Sequence, residues 1–258
     1  MIMGNNNMAV FHIAHLYPEE LNIGGDRGNI LCLEKRLTWR GIDCRISQIA
    51  PGDGALFSDV DLLYIGGGEE FDESVLLEDM QRGRGEELCA AIEDGLPVFA
   101  IGGGMQFLGK ERIKADGTVT PLLGALDMSI VIGKTWMLGN YVFRTAEESG
   151  AVEVVGFENH FGILQLGSNT MPLGTVVKGF GNNGKDGTEG VRYKNVFGAH
   201  AHGPVLPKNP AFCDGLLKTA LEKKYGQYDL EPLDDTYETL AHNTIKERIM
   251  AGTDSRDE

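Results

Sequence analysis

A chain of 258 residues with 42% apolar content is long enough for one α/β domain, or a domain plus an extension, around a sizeable core. A net charge of −15 argues against a nucleic-acid partner and against binding to anionic membrane surfaces, since both need a basic face. No run of about 18 apolar residues exists, so no membrane span is expected. The start, Met1-Ile-Met-Gly-Asn-Asn-Asn-Met8, lacks the basic end and apolar run of a signal peptide, which makes the cytoplasm the expected compartment.

In chain order, Ala9–Leu16 reads as a first strand, ended by Tyr17-Pro18 and followed by a loop over Glu19–Gly28. Asn29–Arg40 reads as a helix with Ile30, Leu33 and Leu37 on one face and Gly41 as its stop. Arg45–Ile49 and Asp61–Ile65 are further strands, the latter running into Gly66-Gly67-Gly68. Glu86–Glu93 is a helix stopped by Gly95. Pro97–Ile101 is a buried strand that enters Gly102-Gly103-Gly104 and then a helix. This rhythm predicts a mostly parallel sheet with helices on both faces. From about 120 to 200 the chain turns rich in Gly, Val and Thr, with short strand-like runs at Val152–Val155 and Thr175–Lys178 and a further run at Val196–Gly203. Asn209-Pro210 reads as a cap with proline at the first helical position, opening a helix that buries Phe212, Leu216, Ala220 and Leu221 and ends at Gly226. A last helix is expected over Thr236–Met250, and Thr253–Glu258 should fray.

The four cysteines, Cys32, Cys44, Cys89 and Cys213, form no C-x-x-C pair and have no histidine at ligand spacing, so no metal is expected. Cys32 and Cys89 fall on helical apolar patterns, which predicts buried, reduced thiols. Strand, sharp glycine turn and helix around Gly102 make the elbow on which α/β enzymes expose a Ser or Cys; here the tip is glycine. Two glycine triplets at strand ends belong on one rim of a parallel sheet, where backbone N–H groups can hold an oxyanion, although each triplet alone reads equally as a tight turn. Gly104–Gly109 followed by Lys110 has phosphate-loop spacing, but Glu111 stands where Ser or Thr is needed and the match falls inside the helix. Among six histidines, His202 stands out before a Gly-Pro break; His200 shares the same run, spacing does not choose between them, and His160 between glycines is no weaker.

Seven segments then occur in order: Leu16-Tyr-Pro18, Asn22-Ile-Gly-Gly-Asp-Arg-Gly-Asn29, Ile65-Gly-Gly-Gly68, Ile101-Gly-Gly-Gly-Met-Gln-Phe-Leu-Gly109, Gly156-Phe-Glu-Asn-His160, Gly181-Asn-Asn-Gly184, and Tyr193-Lys-Asn-Val-Phe-Gly198 through His202-Gly-Pro204. Over residues 9 to 225 the sequence resembles the CobB/CobQ-type class I glutamine amidotransferases, and among them the GatD-type subunits of lipid II isoglutaminyl synthases. The resemblance implies a flavodoxin-like α/β fold over 9–227; the residues outside it read as a flexible start over 1–8 and an acidic helical extension over 228–258. It implies no cofactor. In that family an elbow cysteine attacks the glutamine amide, a histidine moves the proton, and ammonia passes to a Mur-ligase-like, MurT-like partner that activates glutamate of the peptidoglycan stem peptide with ATP. The nucleophile position falls on Gly102, the base on His202, and the oxyanion donors on Gly67 or Gly68 and Gly103. Gln106 and Trp136 fall at glutamine-binding positions, Trp136 where an arginine is expected. The acid that many members carry two residues after the histidine is replaced by Pro204, which leaves that acid to a partner. With no thiol at position 102, glutamine hydrolysis is expected to be negligible. A binding or regulatory subunit without catalysis, and an amidotransferase for a cobyrinate-type acceptor, are the alternatives.

Overall fold

The first half of the chain runs β1 (Phe11–Leu16), α1 (Arg27–Thr38), β2 (Cys44–Ile49), β3 (Leu62–Ile65), α2 (Glu70–Asp79), α3 (Gly85–Glu93), β4 (Val98–Ile101) and α4 (Gly103–Phe107). The computed structural model describes residues 10–54, 57–68, 70–146 and 150–252, so the expectations for residues 1–8 and for Thr253–Glu258 lie outside the described residues. Every residue of β1, β3 and β4 is buried, as continuous apolar runs require when helices cover both faces of a sheet. Alternation along β4 splits its side chains between two cores. Phe99 and Ile101 pack with Ile30, Leu33 and Leu37 of α1, while Val98 and Ala100 pack with Leu88 and Ile92 of α3 and Met105 of α4.

The second half runs β5 (Glu111–Ile113), β6 (Val119–Pro121), β7 (Met128–Thr145), β8 (Glu153–Leu166), β9 (Gly174–Lys178), β10 (Thr188–Glu189), β11 (Val191–Tyr193), β12 (Val196–Ala199), α5 (Pro210–Tyr225) and α6 (Thr236–Ala251). The first sheet has the order β11-β12-β4-β3-β1-β2 and is parallel except for β11. The expected mostly parallel sheet with helices on both faces is present. A second, largely antiparallel sheet, β10-β9-β7-β5-β6 with β8 beside β7, was not foreseen. Its centre is a long pairing of β7 with β8, broken by a register shift between Ile132 and Met137. The strand-like run Val152–Val155 is thus only the start of the 14-residue β8, whereas Thr175–Lys178 matches the five-residue β9, and the 18-residue β7 was not foreseen as a strand.

Two caps depart from simple sequence rules. Asp26 stands before α1 and Asn209 before α5, yet neither side chain caps its helix. Asn209 instead accepts from Val155 N (2.8 Å) and donates to Val155 O (2.9 Å) and Val205 O (2.7 Å), which pins the start of α5 to β8. Asp26 turns into the site described below. The predicted α5 core residues Phe212, Leu216, Ala220 and Leu221 are all buried. Cys32 and Cys89 are only half-buried, because each lies at the edge of its helix's apolar face; Cys213 is the fully buried thiol.

The chain after α5 returns to the first sheet's helices. Arg36 of α1, 2% exposed, donates to both carboxylate oxygens of Asp214 (2.6 and 2.7 Å) and of Asp235 (2.7 Å each). Asp235 immediately precedes α6, whose Ile249 packs on Val142 and Val155 of the second sheet. No helix among the described residues is long and apolar enough to cross a membrane.

Candidate active site

The carboxyl ends of β3, β4 and β12 lie side by side, since the three strands are parallel neighbours. Both glycine triplets and the His202 segment therefore meet on one rim, where open α/β sheets bind their ligands. The triplets pack backbone against backbone. A Cβ on Gly104 would lie 2.2 Å from Gly66 O, so only glycine lets the β4 elbow close onto the end of β3.

Gly102 itself has φ 52° and ψ −122°, a conformation costly to any other residue, and its N–H donates to Ala199 O at 2.9 Å. A Cβ on Gly102 would lie 2.6 Å from Cε1 and 3.2 Å from Nε2 of His202. The imidazole thus faces the elbow tip and occupies part of the volume that a side chain there would fill. His202 is held by its backbone, whose N–H donates to Phe157 O of β8 at 2.8 Å, and its ring rests against Gly24 and Gly67. Among the described residues no side chain hydrogen-bonds the ring. Burial, reinforced by the neighbouring His200 and His160, lowers its pKa to about 4, so it is a neutral imidazole near pH 7.

The structure separates the three histidines that the sequence left open. His202 lies against Gly102. His200 points away from it: its N–H donates to Glu189 Oε1 (2.8 Å) and its Nδ1 lies 3.3 Å from Glu189 Oε2. Its ring stacks on His160, with centroids 4.0 Å apart. Burial pushes the Glu189 carboxyl up, but the charge and hydrogen bonds of His200 and the Tyr141 hydroxyl outweigh it, and the net shift is downward.

A cavity of about 400 Å³ opens on Gly102, lined by Gly68, Gly103, Gln106, Arg112 and His202, and on the β8 side by Asn159, His160 and Phe161. Gly67 does not line it. Its N–H is drawn toward Asp26 Oδ1 (3.3 Å), a buried carboxylate that also accepts from the Tyr64 hydroxyl (2.5 Å) and Gly24 N (3.0 Å). Burial raises the Asp26 pKa, while these hydrogen bonds hold it down in part. Asp26 therefore braces the loop that carries Gly67 and Gly68 and leaves Gly68 facing the cavity.

Arg112, which sequence reading passed over, is 4% exposed and donates from Nη2 to Gln106 Oε1 at 3.3 Å. It is a single arginine in a three-residue strand, and no local pattern marks it. Trp136 stands at the rim, outside the lining residues. Its Nε1 donates to Asn159 Oδ1 (2.7 Å) and its ring stacks on Phe161 at 5.5 Å, so it supports two lining residues without reaching the floor. A larger cavity of about 540 Å³ under α6 contains Arg144, Lys246 and Glu153, but these are already paired at 2.6 and 3.1 Å. Among the described residues no cluster of three or more His, Cys, Asp or Glu could hold a metal.

The lowered imidazoles make stability pH-dependent. His202 and His15, both near pKa 4 through burial, take up protons more readily in the unfolded chain. Their stabilising contribution is complete above the unfolded value of about 6.5 and is lost as pH falls from there toward 4. Urea midpoints at pH 7 and pH 4.5 should show this drop, and it should shrink in His202→Gln; an equal drop in that variant would remove His202 from the account.

The comparisons with known proteins agree with the geometry. The CobB/CobQ-like glutamine amidotransferase domain matches residues 12–210. The chain is 36% identical over 244 residues to the GatD subunit of lipid II isoglutaminyl synthase (glutamine-hydrolyzing) from Staphylococcus aureus, covering 95% of this chain and 98% of that one. It is 36% identical over 217 residues to the GatD subunit from Streptococcus pneumoniae, covering 84% and 82%. A glutamine amidotransferase from Thermotoga maritima shares the fold at 15% identity, with TM-score 0.52 and coverage of 95% and 94%. By sequence, the chain belongs to the CobB/CobQ-like glutamine amidotransferases.

Proposed function

We propose that this chain is the amidotransferase-type subunit of a lipid II isoglutaminyl synthase-like complex. In the form its sequence gives, it binds glutamine without hydrolysing it. The observation that carries this reading is the elbow: a neutral His202 lies within reach of residue 102, and residue 102 has no side chain. The cavity offers groups for the other roles that the family resemblance implies. Gly68 and Gly103 would supply the oxyanion N–H groups, with Gly67 turned to Asp26. Gln106 and Arg112 would receive the amino-acid end of glutamine. Arg112 takes over the carboxylate clamp that Trp136 has no charge to provide, and Trp136 orders the rim through Asn159 and Phe161.

The ligase that would use the ammonia is a MurT-like partner acting on D-glutamate of the stem peptide. Two similarities support this: both GatD subunits above are subunits of lipid II isoglutaminyl synthases, and this chain covers 98% and 82% of their lengths. With Pro204 two residues past His202 and no ring partner among the described residues, the acid that orients the imidazole would come from that subunit.

Calorimetric titration with glutamine tests the binding. Saturable binding with no ammonia released is expected, and ammonia release at a rate typical of glutaminases would refute the hydrolysis-dead reading. Arg112→Ala should weaken glutamine binding by roughly tenfold to a hundredfold, as loss of a charge-assisted pair does, with partial recovery in Arg112→Lys. Unchanged binding in Arg112→Ala would move the clamp elsewhere.

A further inference from the structure

Two of the four thiols meet away from the cavity. Cys32 on α1 and Cys213 on α5 place their Sγ atoms 3.9 Å apart, 181 positions apart in sequence. They differ in a way that matters chemically. Cys32 is half-buried and Cys213 is fully buried. The contact with the Cys213 thiol and the Arg36 guanidinium one turn along α1 favour the Cys32 thiolate, burial and the Asp214 and Asp235 carboxylates oppose it, and the net shift of the Cys32 pKa is downward. Burial pushes the Cys213 thiol well above its ordinary value. A half-buried thiol whose pKa is lowered, 3.9 Å from a fully buried thiol whose pKa is raised, has the arrangement of an attacking and a resolving cysteine.

We propose that Cys32 and Cys213 are an oxidisable pair that closes into a disulfide between α1 and α5 on exposure to a hydroperoxide. Cys32 gives up its thiol proton and the thiolate attacks one oxygen of hydrogen peroxide; the O–O bond breaks and the departing hydroxide takes up that proton as water, giving a sulfenic acid at Cys32. The Cys213 thiol then attacks that sulfur, the S–O bond breaks, and water leaves as the S–S bond forms. Two thiols are oxidised and one peroxide is reduced to two waters. The consequence is mechanical. Next to Cys32, Asn29 of α1 accepts from Leu206 N and donates to the Tyr64 hydroxyl, and Gly28 lies against Pro204. The bridge would therefore fix α1, which follows the Gly24–Asp26 loop behind the His202 ring, to α5, the helix that follows the His202 segment.

Cys44 and Cys89 serve as internal controls. Both are half-buried, and burial raises both thiols. The full native chain is treated with a small excess of hydrogen peroxide at pH 7.5, alkylated, digested and mapped by mass spectrometry. The expected product is a Cys32–Cys213 cross-linked peptide. Titratable thiols should fall from four to two, that is, four less the bridged pair, with recovery in dithiothreitol. The oxidised chain should melt roughly 5 °C or more above the reduced one, because the bridge closes a long loop of the unfolded chain. Cys213→Ser should instead stop at a sulfenic acid on Cys32 that dimedone captures. Cys32→Ser should leave Cys213 reduced. Direct conversion of Cys32 to sulfinic acid in the native chain, or earlier oxidation of Cys44 or Cys89, would overturn the proposal.

Discussion

Gly102→Cys is expected to raise glutamine hydrolysis by roughly four to six orders of magnitude, most clearly with the partner ligase present. The scale is that of removing a nucleophile that works as a unit with its base, about 10⁶ in a serine protease, discounted where the orienting acid is missing. The gain should come with a loss of stability. Residue 102 would hold a side chain at φ 52°, and its Cβ would meet His202 Cε1 at 2.6 Å unless the ring withdraws. A strained elbow of this kind costs about 1–3 kcal/mol. Gly102→Ala separates the two effects: it should lose similar stability and gain no activity. If folded Gly102→Cys releases no ammonia, alone or in complex, the cavity has lost more than its thiol and the binding-only reading is favoured.

Arg36→Ala is expected to destabilise the chain by about 3–5 kcal/mol, the scale for breaking a buried ion pair. Arg36 is 2% exposed and holds Asp214 and Asp235, two carboxylates each about one-quarter exposed. Arg40 also reaches Asp214 (2.6 Å), but Asp235 has no second cation in the cluster. Its release should free the approach to α6, seen as a faster proteolytic cut between α5 and α6. The exposed pair Arg27–Glu19, with side chains 60% and 72% accessible, is the contrast: breaking it should change stability by less than about 1 kcal/mol. Denaturant midpoints measure both, and an Arg36→Ala loss below about 1 kcal/mol would show that the cluster is not a structural tie.

The parts of the fold legible in the sequence were those where one residue type dominates a short segment. Val98–Ile101 and Leu62–Ile65 are apolar on both faces because both are covered, so no periodicity had to be resolved. Their glycine triplets announced the rim. The β7–β8 pairing was not legible, since Gly133, Gly139, Gly156 and Gly162 interrupt its runs and much of it faces solvent on one side. Asn209 was readable as a helix start but not as a tie to Val155, because its partner is distant in sequence and is backbone. At the site, position 102 and His202 were legible through motif order. Local spacing alone did not choose among His160, His200 and His202, since what separates them is Glu189 arriving from a strand of the second sheet. Arg112 reaches the cavity only because β5 pairs beside β7, a tertiary fact with no local trace.

The bonds from Asn209 to both backbone groups of Val155 bear on how the molecule comes apart. If the second sheet opened by itself, the amide of Asn209, which is 2% exposed, and both backbone groups of Val155 would lose the two bonds between them. That penalty couples the two sheets, so local opening of β8 is disfavoured relative to global unfolding. Amide hydrogens on either side of Val155 should exchange at the rate of those in β4, with both sheets behaving as one cooperative unit.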